Sequence, residues 1–219
     1  MGRVCVLKDV RVFFAKRGRM KFISHLDLNR FMIRAIRMSK IPVWYSEGFN
    51  PHPYISFALP LSLGFESSYD VMDLRLYDEE YPLNNVLEKI KTVMPDGIEI
   101  LGIGEPVMKT GGIAFADYQI NYAGIDNNLK NSILDFLSSS EILTEKKNKK
   151  GKFNTVNLAE GIKSYEFQGD TLCLCLSAGA NNLNPKLLLE TFENKNNIKL
   201  PFSIIVRTML YNSELEKFK

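Results

Sequence analysis

The chain has 219 residues, 45% of them hydrophobic, and a formal net charge of +3. That length and apolar share allow one large domain or two small ones with a real core. A charge this small names no polyanionic partner, so any such argument rests on local clustering. Cys5, Cys173 and Cys175 fit no CxxC or Cys/His zinc spacing, which excludes a disulfide framework or zinc site and suits a reducing cytosol. Cys173 and Cys175, two apart in an apolar run, read as buried thiols on one strand face. The opening MGRVCVLKDV is too short and polar for a signal peptide, and no apolar run approaches the ~20 residues of a membrane span. The expectation is a cytoplasmic chain without metal or cofactor.

Asp9–Lys16 is rich in Val and Phe and reads as a strand, followed by a turn at RGRM. Ser24 then opens a helix to about Ser39. Ser-His-Leu-Asp fits a capping box, with the Ser24 hydroxyl and the Asp27 carboxylate each meeting an orphan backbone N–H. Leu28, Phe31, Met32, Ala35 and Ile36 form its buried stripe, and Pro42 stops it. YISFALPLSL and YDVMDLRLY read as strands joined through Gly64, LNNVLEKIKTVM as a second helix, and IEILGIGEPV as a strand. The order strand, helix, strand, strand, helix, strand is the split βαβ pattern of ferredoxin-like folds. PVMKTGGI, residues 106–113, reads as a linker.

The second half repeats that order. FADYQINYAG is a strand, DNNLKNSILDFLSS a helix capped by aspartate, and EILTEKKNKKGKFNTVNL a hairpin with a lysine-rich tip, Lys146 to Lys152. KSYEFQG and TLCLCLSA are strands, NPKLLLETFEN is a helix with proline in its first turn, and FSIIVRTMLY is a closing strand. The fold class is therefore α+β, two tandem ferredoxin-like (split βαβ) domains with antiparallel sheets, residues 1–106 and 113–219.

The chemistry concentrates in KFISHLDLNRFMIRAIRMSKIPVWYSEGFNPHP, which holds both histidines, His25 and His52, and the single tryptophan, Trp44. At ~100° per residue, Arg30, Arg34 and Arg37 share one helix side, opposite the apolar stripe. Three guanidiniums on one face suit bidentate phosphate contacts. Lys16, Arg17, Arg19 and Lys21, read as the loop feeding this helix, would extend the basic footprint. The bland alternative is a solvated face with an Asp27–Arg30 or Asp27–Arg34 pair. Gly48, Pro51 and Pro53 make YSEGFNPHP a rigid crossover. Its Tyr45, Ser46, Asn50 and His52 are candidates for stacking on bases or bonding their edges. Trp44 reads as a core plug; Phe49 can stack on a base like Tyr45 or, in the structural alternative, plug the core. His25, in the first helical turn, falls near Met32 and Ile36 on the wheel, towards the sheet rim. A crossover this long invites packing, so the expectation is that it folds back along the helix and sets Asn50 and His52 beside Ser24 and His25.

FAKRGRMKFISHLDLNRFMIRAIR, YSEGFNPHPYISFALPLSLGFES and IVRTMLY resemble the radical-SAM-linked protein family of bacteria, densely over residues 11–75. Met38 departs from that pattern, where the family usually continues with a basic residue. The resemblance implies an RNA context and a radical SAM enzyme as partner, encoded nearby or fused. The element order also looks like the paired ferredoxin-like domains of CRISPR repeat-RNA endonucleases, a fold-level analogy. The first functional expectation is an RNA-binding accessory protein, with Lys16, Arg17, Arg19, Lys21, Arg30, Arg34, Arg37, Tyr45, Ser46, Asn50 and His52 as contacts. The alternatives are a metal-independent endoribonuclease using His25 or His52, and an adaptor that docks the radical SAM partner without touching RNA.

Overall fold

The computed structural model describes residues 7–147 and 153–219. These residues form β1 (Lys8–Lys16), α1 (His25–Ser39), β2 (Ile55–Phe57), β3 (Glu66–Leu76), α2 (Leu83–Lys91), β4 (Ile98–Gly104) and β5 (Phe115–Tyr122). There follow α3 (Asn127–Leu137), β6 (Leu143–Lys147), β7 (Phe153–Asn157), β8 (Ile162–Gln168), β9 (Thr171–Ser177), α4 (Pro185–Asn196) and β10 (Ser203–Tyr211). The class is mixed α+β with antiparallel sheets. No helix among the described residues is long and apolar enough to cross a membrane. The chain divides into two compact units. One runs to Gly112 and takes in Lys217–Lys219; the other is Ile113–Glu216.

In the first unit the strands lie in the order β4-β1-β3-β2, every neighbour antiparallel. Strand alternation sends Val10, Val12, Phe14, Met72, Leu74 and Leu76 to one face, where they join Leu28, Met32 and Ile36 of α1 and Val86 and Ile90 of α2 in one core. The predicted α1 stripe is the buried one: Leu28, Met32, Ala35 and Ile36 are buried, and Phe31 is packed against the core. The opposite sheet face carries Asp9 and Arg11 of β1 across from Arg75 and Asp73 of β3. The terminal segment closes on this unit. The Tyr69 hydroxyl donates to the Phe218 carbonyl at 2.8 Å, and the fully buried Phe218 ring lies 4.6 Å from the Arg11 guanidinium carbon.

The second unit has the strand order β10-β5-β9-β8, again antiparallel, with β6 and β7 as a separate hairpin. Ala116, Ile120, Leu172, Leu174 and Leu176 are buried in its sheet, and Phe136 of α3 meets Phe192 of α4 edge to face at 5.3 Å. Cys175 is buried and Cys173 partly so, on one face of β9. Cys5 and the side chains of the Lys146–Lys152 tip lie outside the described residues.

Three local expectations change. YISFALPLSL is a strand only over Ile55–Phe57. Ala58 still donates to Val71 at 2.9 Å, but Pro60 has no N–H to continue the ladder. The RGRM turn is a 3-10 helix, Gly18–Phe22. Residues 217–219, assigned by sequence to the second half, belong to the first unit, because the buried Phe218 anchors them there.

Candidate functional site

Ser24 caps α1 in extended backbone and its Oγ accepts from the Asp27 N–H at 3.1 Å. The other half of the box differs from expectation: the Ser24 hydroxyl itself donates to the Asp27 carboxylate at 2.7 Å. Lys40, in the left-handed region at φ 53°, closes the helix. Between these ends Arg30, Arg34 and Arg37 are all exposed. Arg30 lies 3.5 Å from Asp27, an exposed pair of small energetic weight. Arg37 donates to the Pro51 carbonyl at 3.0 Å and stands 5.9 Å from the Tyr45 ring centroid.

The crossover after α1 is a hairpin. Val43 bridges to Leu76 and Tyr45 to Pro53. The Ser46 N–H donates to the His52 carbonyl at 2.9 Å, and Tyr54 N–H to the Trp44 carbonyl at 2.9 Å. At its tip Gly48 takes φ +129°, a region open to glycine, and the next residue, Phe49, is fully exposed. Phe49 is therefore no core plug: the hairpin turns it away from every buried surface. The His52 Nδ1 lies 3.2 Å from the Asn50 carbonyl and 3.0 Å from the Ser46 hydroxyl. A carbonyl only accepts while a hydroxyl can do both, so Nδ1 donates to Asn50 in one tautomer and accepts from Ser46 in the other.

The expected fold-back does not occur. The Arg37–Pro51 bond pins the hairpin to the last turn of α1, while His25 is its first residue. Twelve residues of helix separate those turns, roughly 18 Å at 1.5 Å per residue. The reason is that the hairpin finds its packing surface on the neighbouring strand end instead, where the Trp44 N–H donates to the Arg75 carbonyl at 2.7 Å. His25 is half-buried with its ring edge-on to Phe57 at 5.1 Å, so Asn50 and His52 share no site with it. Burial pulls the His25 pKa below its ordinary value; nearby Asp70 opposes this and Lys16 adds to it.

The basic loop is smaller than its sequence implied. Lys16 is the last residue of β1 and is 1% exposed. Lys21 is held by Glu66 at 3.1 Å with both side chains largely covered, and Arg17 reaches Glu99 at 3.4 Å. Arg17 and Arg19 are exposed. The surface that remains is a stripe of Arg30, Arg34 and Arg37 continuing into Tyr45, Asn50, His52 and Phe49.

Sequence reasoning passed over a second cluster. Arg75 is held by Asp9 at 2.6 and 3.2 Å and lies 5.1 Å from the Tyr54 ring and 5.7 Å from Trp44. Beside it the buried Arg11 makes a bidentate pair with Asp73 at 2.7 and 2.8 Å. The signal was present as Asp-Val-Arg on one strand and Asp-Leu-Arg on another, since residues two apart share a sheet face. Trp44, expected as a core plug, is half-buried with its edge against Tyr54 at 5.3 Å.

Residues 9–191 match the family described as "Uncharacterized protein conserved in bacteria (DUF2344)", and the chain belongs to that family. No curated protein matches it. Among solved structures, a crystal structure of a Cbf5-Nop10-Gar1 complex is similar at a TM-score of 0.45 and 8% identity, over 91% of this chain and 48% of that one. A crystal form of a heavy metal efflux pump is similar at a TM-score of 0.28 and 9% identity, over 91% of this chain and 28% of that one. The chain thus spans about half the length of the first and just over a quarter of the second, and neither likeness bears on what it does.

Proposed function

We propose that this chain is a cytoplasmic RNA-binding accessory protein of a radical SAM enzyme, built from two tandem ferredoxin-like domains. The ferredoxin-like reading is supported by the strand orders β4-β1-β3-β2 and β10-β5-β9-β8, each with its first and last strands adjacent. The RNA reading rests on one observation above all: the exposed Arg30, Arg34 and Arg37 stripe ends at a hairpin that holds Phe49 wholly in solvent. Guanidinium forks suit phosphate oxygens, and an aromatic face stacks on an unpaired base whatever its identity. Arg37 ties the two parts together through Pro51, so the hairpin is pre-set and less ordering entropy is lost on binding. The partner enzyme is inferred from the resemblance of the SHLD and GFNPHP segments alone.

The test is binding of a labelled single-stranded RNA at two salt concentrations. Arg30→Glu with Arg34→Glu is expected to weaken binding and to make the salt dependence shallower by about 1.4, two contacts at ~0.7 each. An unchanged slope would mean the stripe is only a solvated face. Incubation with RNA in EDTA addresses the nuclease alternative, which calls on His25 or His52. Co-purification with the radical SAM enzyme in the absence of any RNA binding would favour the adaptor.

A further inference from the structure

On the sheet face turned away from α1, the first unit holds a cavity of about 550 Å³ lined by Asp9, Arg11, Tyr54, Asp73, Arg75 and Lys109, among others. This is well within the size range of small-molecule sites. Its floor is a checkerboard of charge. Asp9 faces Arg75 and Arg11 faces Asp73 directly across β1 and β3, two residues apart on each strand. The two ion pairs cancel, so the floor offers alternating donors and acceptors without net charge.

Neither kind of group is used up. Arg75 spends Nε and Nη2 on Asp9 and its side chain is 31% exposed, which leaves Nη1 for a ligand, whereas Arg11 is spent on Asp73, 1% exposed and covered by the Phe218 ring at 4.6 Å. The carboxylates have lone pairs beyond those that their arginines occupy. Asp9 is half-exposed and Asp73 less so, and the 40%-exposed Tyr54 supplies an aromatic wall.

A full phosphate is a poor match, because two carboxylates would lie against it. The better match is a planar group with acceptors and donors side by side on one edge. We propose that this cavity takes a guanine base, with O6 and N7 towards the Arg75 donors, N1–H and the exocyclic amine towards Asp9, and the ring against Tyr54. Adenine offers one donor group and no carbonyl acceptor on that edge and is rejected by the unpaired groups it leaves. The site lies on the opposite face of the sheet from the arginine stripe, so it goes beyond the RNA reading and does not depend on it.

The chain's single tryptophan, Trp44, touches this cluster and provides a fluorescence reporter beside calorimetry. The full chain is titrated with GMP, AMP and inorganic phosphate. GMP is expected to saturate, AMP to bind about tenfold more weakly or worse, and phosphate not to compete. Asp9→Ala is expected to weaken GMP about tenfold with the melting temperature nearly unchanged, since an exposed pair contributes little stability. Arg30→Glu with Arg34→Glu is expected to leave GMP binding intact. Absence of GMP binding, AMP or phosphate binding as tightly as GMP, or indifference to Asp9→Ala would each overturn the proposal.

Discussion

The two units share a strand order and differ in what they carry on it. In each, a helix follows the first strand and a hairpin stands between that helix and the next strand of the sheet. In the first unit that helix is α1, with three exposed arginines, and its hairpin ends in Phe49, Asn50 and His52. In the second unit the matching helix, α3, has one cationic side chain, Lys130, and Asp170 holds it at 2.8 Å. The sheet faces opposite the buried aliphatic rows differ as well. The first presents two arginine–aspartate pairs. The second presents Asp117, which accepts from the Tyr211 hydroxyl at 2.7 Å, together with Cys173 and Cys175. Topology positions a helix face and a hairpin, but the residues placed there decide what charge and which aromatic surface they present.

The largest test of this contrast is structural. Asp73→Ala strips the partner from the buried Arg11 and is expected to destabilise the first unit by about 3–5 kcal/mol, as for other broken buried pairs. Asp170→Ala in the second unit breaks a more exposed pair and is expected to cost no more than ~1 kcal/mol. Denaturant melts of the two variants measure the difference, and equal losses would show that the first pair is not a buried anchor.

Next in size is the effect on RNA. Phe49→Ala is expected to lose about 1–3 kcal/mol of single-strand affinity, the usual weight of one stacked base. Lys130→Glu, on the helix of the second unit, is expected to leave affinity within twofold, about 0.4 kcal/mol. A larger loss from Lys130→Glu than from Phe49→Ala would move the interface to the other unit.

A smaller effect concerns the thiols. Burial, then the hydrogen bond to Asp117, push the Cys175 thiol up to about 12, and burial also raises Cys173. Since the thiolate is the reactive form, Cys175 is expected to resist alkylation at pH 8 until the protein is unfolded, read by mass spectrometry. Rapid labelling of the native chain would show that the face of β9 is open.

The smallest effect is a pH dependence that belongs to the first unit, because both histidines are there. The folded His25 has a pKa below the ordinary value of 6.5, chiefly through burial. The unfolded chain therefore binds the proton more readily. The contribution to stability is whole above about pH 6.5 and is lost as pH falls from there through the folded value. His25→Phe is expected to flatten this part of the stability profile. A profile that keeps its slope in the variant would place the titration elsewhere.

Much of the architecture was legible because it depends on short-range patterns. The α1 stripe, the Ser24 cap, the Asn184 cap with Pro185 and the alternation of β1 and β3 are set by neighbours within four residues. The exposed arginines followed from the same wheel. The hairpin did not: Tyr45–Pro53 pairing and the Arg37–Pro51 bond depend on where a strand end lies in space. Lys16 shows the same limit, since a lysine at a strand end reads as exposed and here is covered.

By itself the sequence determined most of the elements, the face that α1 buries and the basic helix side, because periodicity and capping are local physics. Only the tertiary structure decided that His25 and His52 stand at opposite ends of α1. It also decided that Phe49 is left in solvent and that the terminal Phe218 packs back beneath Arg11. Those outcomes turn on contacts between residues far apart in the chain, where many closures are compatible with one pattern and packing of the whole unit selects among them.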